Sequence, residues 1–370
     1  MSVIIFLLVL IVLIFVHELG HFLVAKACGI RVDEFGLGFP PKMVGYKYGE
    51  TVYSLNWIPF GGFVKIFGEN PDEENTTGPD SARSMVNKPK WQQILVLVAG
   101  ISFNIIFAWL IISVGFMSGL PSSVDSYPNA HFTNTQVVVS EVAVGSPAQK
   151  AGFKSGDAIV SMSVIDAKGV ATETLVPKSV VDVQNFISSH KGKEIAVSYA
   201  EGKVTGMHKV TPAEGVVSGK AAIGVGLDLV GNLQLPVHQA LYQGAILTYD
   251  VTINITVGLW DFLKNIFIGR ADLGQVTGPV GIVGLVGDAS RLGLMHLLSF
   301  VAFISLNLAV VNILPFPALD GGRVLFVIIE AIKRSPIKPK VVNAFNTVGF
   351  ALLLLLMLVI TFHDVLKMFW

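Results

Sequence analysis

Cysteine is nearly missing from this chain: Cys28 is the one thiol in 370 residues. A lone thiol cannot close an intrachain disulfide or build a cysteine-based metal site, so its expected role is packing. Charge is scarce as well. Only 14% of residues are charged, against about 25% in soluble domains. The 26 basic side chains balance 26 acidic ones. No basic tract is present to follow a phosphate backbone, which excludes nucleic acid as a partner. The first apolar run has neither a basic leader nor an A-x-A-like cleavage site, so it reads as a retained span rather than a signal peptide.

Hydrophobic residues make up 52% of the chain. Four stretches, residues 3–22, 94–120, 294–314 and 341–362, are each near the roughly 20 residues that cross a bilayer. A fifth apolar stretch, 251–268, is interrupted by Asn254, Asp261 and Lys264 and reads as an interfacial helix. The loop after the first span carries Lys26, Arg31, Lys42, Lys47, Lys65, Arg83, Lys88 and Lys90. The link between the third and fourth carries Arg323, Lys333, Arg334, Lys338 and Lys340. Positive charge marks the cytoplasmic side, which puts the long insert between spans two and three, and both termini, outside.

Ionisable residues stand out in this setting. Residues 3–16 hold no charge, and then His17-Glu18-Leu19-Gly20-His21 follows. On a helix His17 and His21 share one face, where two imidazoles can grip one zinc while Glu18 reaches a water on it. Such groups at membrane depth cost roughly 2.5–3.5 kcal/mol each, so they call for a functional reading. In the expected topology the inner end of span three lies at the same depth and reads Asn312-Ile313-Leu314-Pro315-Phe316-Pro317-Ala318-Leu319-Asp320-Gly321-Gly322. Two prolines break the helix there and two glycines free the chain. Irregular backbone at that depth must face protein or a wet cavity. Asp320 would complete a His-His-Asp set and leave a fourth position for water.

Together these motifs resemble the site-2 protease family, in its bacterial branch of regulated intramembrane proteolysis zinc metalloproteases. Ile58-Pro59-Phe60-Gly61-Gly62-Phe63-Val64-Lys65-Ile66-Phe67-Gly68-Glu69 resembles the family's membrane-associated β-loop. Ala99-Gly100 with Asn104 resembles its second-span motif, and Gly278-Pro279-Val280-Gly281-Ile282 the segment before its third span. One departure is His363-Asp364 after the last span, where the family pattern has Asn-Asp.

Within the insert, residues 136–229 alternate β-rich runs (137–139, 158–164, 195–199, 222–225) with turn signals. Val144-Gly145-Ser146 with Pro147 to Gly152, then Gly156-Asp157, is similar to a circularly permuted PDZ domain. A helix over 179–189 would flank its groove, and Val144, Gly145 and Ser146 are the expected peptide-binding loop. A β-rich spacer without ligand is the alternative. Residues 71–80 read as a polar flexible loop whose spacing fits no EF-hand.

The resemblance implies a multi-pass α-helical membrane protein with four transmembrane helices, a membrane-associated β-loop and an inserted β-rich PDZ domain. Its parts are an N-terminal membrane core (residues 1–125), the extracytoplasmic PDZ domain (136–229), an interfacial amphipathic segment (236–290) and a C-terminal membrane core (291–370). It implies Zn2+ held by His17, His21 and Asp320, with Glu18 as general base. Asn312 is a donor to substrate backbone or oxyanion, or else forms an interhelical hydrogen bond. The implied activity is intramembrane zinc endoproteolysis of single-pass membrane proteins in the bacterial inner membrane. Anti-sigma-factor-type regulators trimmed by an upstream site-1-type protease, or remnant signal peptides, would be its substrates. A PDZ-bearing adaptor with structural zinc and a metal or proton transporter are the alternatives. The adaptor has no use for Glu18, and the transporter needs polar residues along a whole path.

Overall fold

The computed structural model describes residues 2–70, 73–127, 130–166, 169–202, 204–217, 220–270, 277–335 and 337–369. Helix α1 (Ser2–Ala27) leads to strands β1 (Val32–Tyr48) and β2 (Thr51–Ile66), a short α2 (Glu73–Thr77) and the long α3 (Lys90–Ser118). There follow β3 (Leu120–Ser123), β4 (Phe132–Val142), α4 (Pro147–Ala151), β5 (Ala158–Ile165), β6 (Ala171–Leu175) and α5 (Val180–Ser189). Next come β7 (Glu194–Glu201), β8 (Val204–Val210), β9 (Ala213–Val217), β10 (Lys220–Ala222) and β11 (Val225–Leu233). Helices α6 (Val237–Phe267), α7 (Pro279–Leu292), α8 (Leu294–Asn312), α9 (Asp320–Lys333) and α10 (Pro339–Phe369) close the chain. The backbone divides into two units: Met1–Ser113, Leu241–Asp288 and Leu298–Trp370, and then Val114–Ala240 with Ala289–Leu297.

Among the described residues four helices are long and apolar enough to cross a membrane: α1, α3, α8 and residues Lys340–Leu366 of α10. They coincide with the four expected spans. Helix α1 runs past residue 22 and stops at Gly29, which takes φ +66° while Ile30 N–H donates to the Ala25 carbonyl, the left-handed cap that glycine permits. Helices α1 and α3 approach closely because the contact residues are small: a Cβ on Gly20 would stand 2.6 Å from the Ala99 carbonyl oxygen. Helix α10 leaves Leu352, Leu355, Leu358 and Phe362 exposed, as lipid-facing side chains require.

Strands β1 and β2 each bend once. Residues 34–37 pair with 62–65 on one side and with 52–55 on the other, while 42–48 pair with 51–56. Two long strands therefore build a sheet four segments wide, folded at the prolines Pro40 and Pro41 and near Gly61, whose φ is +111°. Phe35, Val64 and Ile66 pack with Ala25 and Val96 in the core of the first unit, and Cys28 lies against that core, as expected. Residues 73–80 are not loop throughout. Asn75 is buried on α2 and donates to the Asn70 carbonyl at 2.8 Å, which satisfies a polar side chain that the composition alone left to solvent. Pro71 and Asp72 of that loop lie outside the described residues. So do residues 271–276 of the expected interfacial segment. Helix α6 contains that apolar stretch but begins at Val237 and exposes Tyr242, Tyr249, Ile253, Val257 and Trp260 at helical spacing.

The second unit is β-rich. Its large sheet has the order β3-β11-β4-β5-β7-β8 with β6 paired to β5, beside the small pair β9-β10. The sheet takes in β3 from before the expected insert and extends to Leu233 beyond it. The expected strand over 222–225 divides into β10 and β11, with Gly224 at φ +82° between them. Val137, Met162, Ile195, Val197, Val183 and Phe186 form the core, each contributing about 1.5–3 kcal/mol by burial. Helix α5 starts one residue into the expected range because Ser179 is its cap: the Ser179 hydroxyl accepts from Asp182 N–H, and Asp182 accepts in return from Ser179 N–H. A second donor, the backbone N–H of Lys178, is the main cause that holds the Asp182 carboxyl below the usual carboxylate range.

Candidate metal centre

Helix α1 presents His17 and His21 one turn apart, with their Nε2 atoms 3.3 Å from each other. His21 Nδ1 lies 2.8 Å from the main-chain carbonyl oxygen of Val96 on α3. A carbonyl only accepts, so Nδ1 carries the proton and Nε2 of the neutral ring keeps a lone pair. Gly100 makes this contact possible. A helical side chain covers the turn before its own Cα, so the absence of one at position 100 uncovers the Val96 carbonyl. It also leaves room for the ring: a Cβ there would stand 2.3 Å from His21 Nε2 and 2.7 Å from His17 Cε1.

Asp320 reaches the same place from the other end of the chain. Helix α8 stops at Asn312, the prolines hold the next residues irregular, and Asp320 opens α9. The glycines after it have a steric reason. A Cβ on Gly321 would stand 2.2 Å from the Ile313 carbonyl oxygen, and one on Gly322 2.2 Å from that of Phe316. Helix α10 supports the loop where Gly349 closes on Pro317, leaving no space for a Cβ. Asp320 Oδ2 ends 3.1 Å from His17 Nε2 and 3.4 Å from His21 Nε2. The three ligand atoms lie within 4.8 Å of one another.

This donor set fits a metal ion. Asp320 Oδ2 is buried and, despite those short approaches, makes no hydrogen bond of acceptable geometry. An imidazole lone pair and a carboxylate oxygen facing each other in a buried site repel unless a cation lies between them. Two imidazole nitrogens and one carboxylate with a remaining open position are a set that suits zinc.

Glu18 sits beside the three on α1, turned toward β2. Its Cγ would be 3.4 Å from a Cβ on Gly62, which sets its carboxylate near the backbone N–H of Val64. Arg323, three residues after Asp320, is ion-paired with Glu69 and close enough to Glu18 to feel its charge. Asn312 ends α8 half-buried, and the described residues offer its carboxamide no hydrogen-bond partner. Sequence reasoning did not reach the Val96 carbonyl, the Arg323–Glu69 pair, or the contact of Asn104 with His17 at 3.3 Å. The spacing of Gly100 and Asn104, one turn apart on a span, is the signal that pointed to the last.

Gly145 and Ser146 each make a local hydrogen bond, and Val144 is exposed. The Ser146 hydroxyl caps α4 by accepting from Gln149 N–H at 3.2 Å, and Gly145 N–H donates to Gln149 Oε1 at 2.7 Å. None of the three lines the cavity of about 250 Å³ that lies between α5 and residues 221–227. Beside that cavity, among the described residues, β3 pairs with residues 230–233 of β11 and β4 takes the other side, so residues 225–228 have one strand edge without a paired strand.

Residues 5–356 match the family model described as Peptidase family M50. A relative from Clostridium perfringens, named as a candidate zinc metalloprotease, is 36% identical over 356 residues, 96% of this chain and 95% of its own. The Bacillus subtilis protein named regulator of sigma-W protease RasP is 29% identical over an alignment of 444 positions, covering 100% of this chain and 99% of that protein. The zinc metalloprotease RasP of Bacillus licheniformis matches at 29% over the same shares.

Proposed function

The chain belongs to peptidase family M50, the site-2 proteases, and is thus an intramembrane metalloprotease; from that premise we propose that it is a zinc endopeptidase cutting the membrane segments of single-pass proteins. The observation that carries this reading is the convergence of His17 and His21 on α1 with Asp320 at the start of α9, beside Glu18, just after the uncharged run of residues 3–16. The family match leaves the adaptor and transporter alternatives without support.

Held by those three residues, zinc would supply Lewis acidity and lower the pKa of its water toward about 7. Glu18 accepts the proton of the attacking water and hands it to the leaving amine. The Val64 N–H orients that carboxylate from β2. Asn312, whose carboxamide has no partner among the described residues, donates to the substrate backbone or to the developing oxyanion. A membrane helix is already hydrogen-bonded, so the substrate must unwind before its peptide bond meets the site. Weak helix formers at the cut favour this. The edge of β2 next to Glu18 then offers main-chain partners to the opened segment.

Topology and substrate class belong to the same proposal. The basic loops put the metal centre toward the cytoplasm, with the β-rich unit and both termini outside, in the inner membrane of a bacterium. The external unit reads as a PDZ domain. Its open edge at residues 225–228 beside α5 is the place where a peptide strand would add. Anti-sigma-factor-type regulators, trimmed outside by a site-1-type protease, fit the role that the RasP name carries; leftover signal peptides are the other substrate class. The test incubates purified protein in detergent with a single-pass substrate and weighs the fragments. Two fragments whose junction lies inside the membrane segment, abolished by a chelator and restored by zinc, are expected. Intact substrate under all conditions, or cleavage indifferent to the chelator, would overturn the reading.

A further inference from the structure

Zinc ligation through Nε2 places a demand on the far side of the His17 ring. The nitrogen that faces His21 and Asp320 is Nε2. A neutral imidazole that binds metal there carries its proton on Nδ1, and that N–H needs an acceptor. His17 is half-buried, and the side of its ring that carries Nδ1 faces α3.

Asn104 of α3 is the group that meets it. Its side chain is fully buried, and its carboxamide nitrogen lies 3.3 Å from His17 Nδ1. Its carboxamide oxygen is buried and has no hydrogen-bond partner among the described residues. Two irregularities thus sit on one side chain: a donor faces the nitrogen that needs an acceptor, and an acceptor faces nothing. Rotating the carboxamide by 180° about Cβ–Cγ exchanges its oxygen and nitrogen within the same envelope. Oδ1 then accepts from His17 Nδ1–H, and Nδ2 takes the position that Oδ1 leaves.

The backbone of Asn104 is held independently of this choice. Ser305 on α8 donates its hydroxyl to the Asn104 carbonyl at 2.8 Å. Gly100, one turn earlier, keeps α3 close to both rings. The side chain can therefore turn without moving the helix. His21 needs no such device, because the Val96 carbonyl can act only as an acceptor.

We propose that Asn104 is a positioning residue for His17: its carboxamide oxygen accepts from Nδ1–H, sets the tautomer that presents Nε2, and orients the ring for metal. The proposal rests on zinc ligation by His17 as read above. Partners of this kind typically change metal affinity by about 10–100-fold when removed.

The test measures zinc affinity by chelator competition on purified full-length protein in detergent. Asn104→Leu keeps the volume and removes the acceptor. It should weaken zinc binding by about 10–100-fold. Asn104→Asp keeps an acceptor in place and should stay within a few-fold of the parent. Ser305→Ala, which touches Asn104 only at its backbone, should lower thermal stability and leave affinity alone. Parental affinity in Asn104→Leu, or an Asp variant as weak as the Leu variant, would overturn the proposal. A further readout needs no variant. In the zinc-loaded parent, 15N shifts of His17 should show a protonated Nδ1 and a metal-bound Nε2, and the reverse assignment would refute the idea. A parent that binds no zinc would refute the functional reading instead, so the two failures are told apart.

Discussion

Gly100→Ala is the sharpest single perturbation of this site, because it adds one methyl group and no polarity. The new Cβ would stand 2.3 Å from His21 Nε2, 2.8 Å from His21 Cε1 and 2.7 Å from His17 Cε1. Non-bonded atoms in contact settle at about 3.5–4.0 Å. Either both rings retreat by about 1 Å or α3 moves away from α1. Moving α3 away would open the close contact of Gly20 with Ala99. A metal site tolerates displacements of about 0.5 Å, and a misplacement of about 1 Å costs on the order of 100-fold in rate. The overpacking itself destabilises by about 1–3 kcal/mol, which a four-span protein can survive. The expected result is a folded protein with zinc affinity and cleavage both reduced at least about 100-fold. Gly284→Ala is the control: nothing lies within 4 Å of a Cβ at that helical position, and the change should be neutral or stabilise by about 0.5–1 kcal/mol. The assay pairs metal analysis after dialysis with fragment yield from a single-pass substrate. A Gly100→Ala protein with parental zinc and parental turnover would show that the rings do not sit where these contacts place them.

Glu18→Gln should keep zinc and lose cleavage, since it removes a base and no ligand; turnover near the parental rate would sink the proposed proton transfer. Asp320→Ala should lose both zinc and activity while His363→Ala loses neither, and full zinc occupancy in the Asp320 variant would place the third ligand elsewhere. Ser123 pairs with Val230, so residues 124–229 can be replaced by a short linker. If the external unit screens substrates, the shortened protein should bind zinc and cut untrimmed substrate that the parent rejects; equal rejection would disprove the screen. The Glu50 carboxyl is held below the usual range, first by its hydrogen bond from Lys26 and also by Arg83. A lowered folded pKa stabilises above the unfolded value of about 4.3 and is lost as pH falls through the folded one. Amide exchange around the β1–β2 turn should therefore speed up below about pH 4 in the parent. Glu50→Gln should lack that acid-dependent step, and an identical step in both would assign it to another group.

The four spans and the three converging side chains were readable because each depends on a contiguous pattern. Apolar length alone marks α1, α3, α8 and α10, and the histidine spacing together with the Pro-Phe-Pro break puts charge where lipid forbids it. The rest depends on partners far apart in sequence. Nothing in the run Val32–Tyr48 says that residues 34–37 will pair on both sides, because that follows from where the chain bends back. The sequence marks Ser146 as part of a ligand loop, and says nothing of the cap that its hydroxyl gives the five-residue helix it precedes. Asp364, which follows the departure at His363 and lies within α10, is buried and accepts from Gly281 N–H at the start of α7. That contact joins two segments whose sequences give no hint of each other.

The orientation of His21 is set by a main-chain oxygen, and this changes what a mutational scan of α3 would record. No replacement at position 96 can delete the Val96 carbonyl, so substitutions there would report side-chain volume and never the loss of the acceptor. The information that fixes the ring is displaced to positions that present no functional group: Gly20, Ala99 and Gly100, which set how near the carbonyl comes. A scan that ranks positions by lost activity would therefore place three small apolar residues beside the ionisable ones. An inhibitor or resistance screen would find its escape routes in the spacing between two helices before it found them among the ligands.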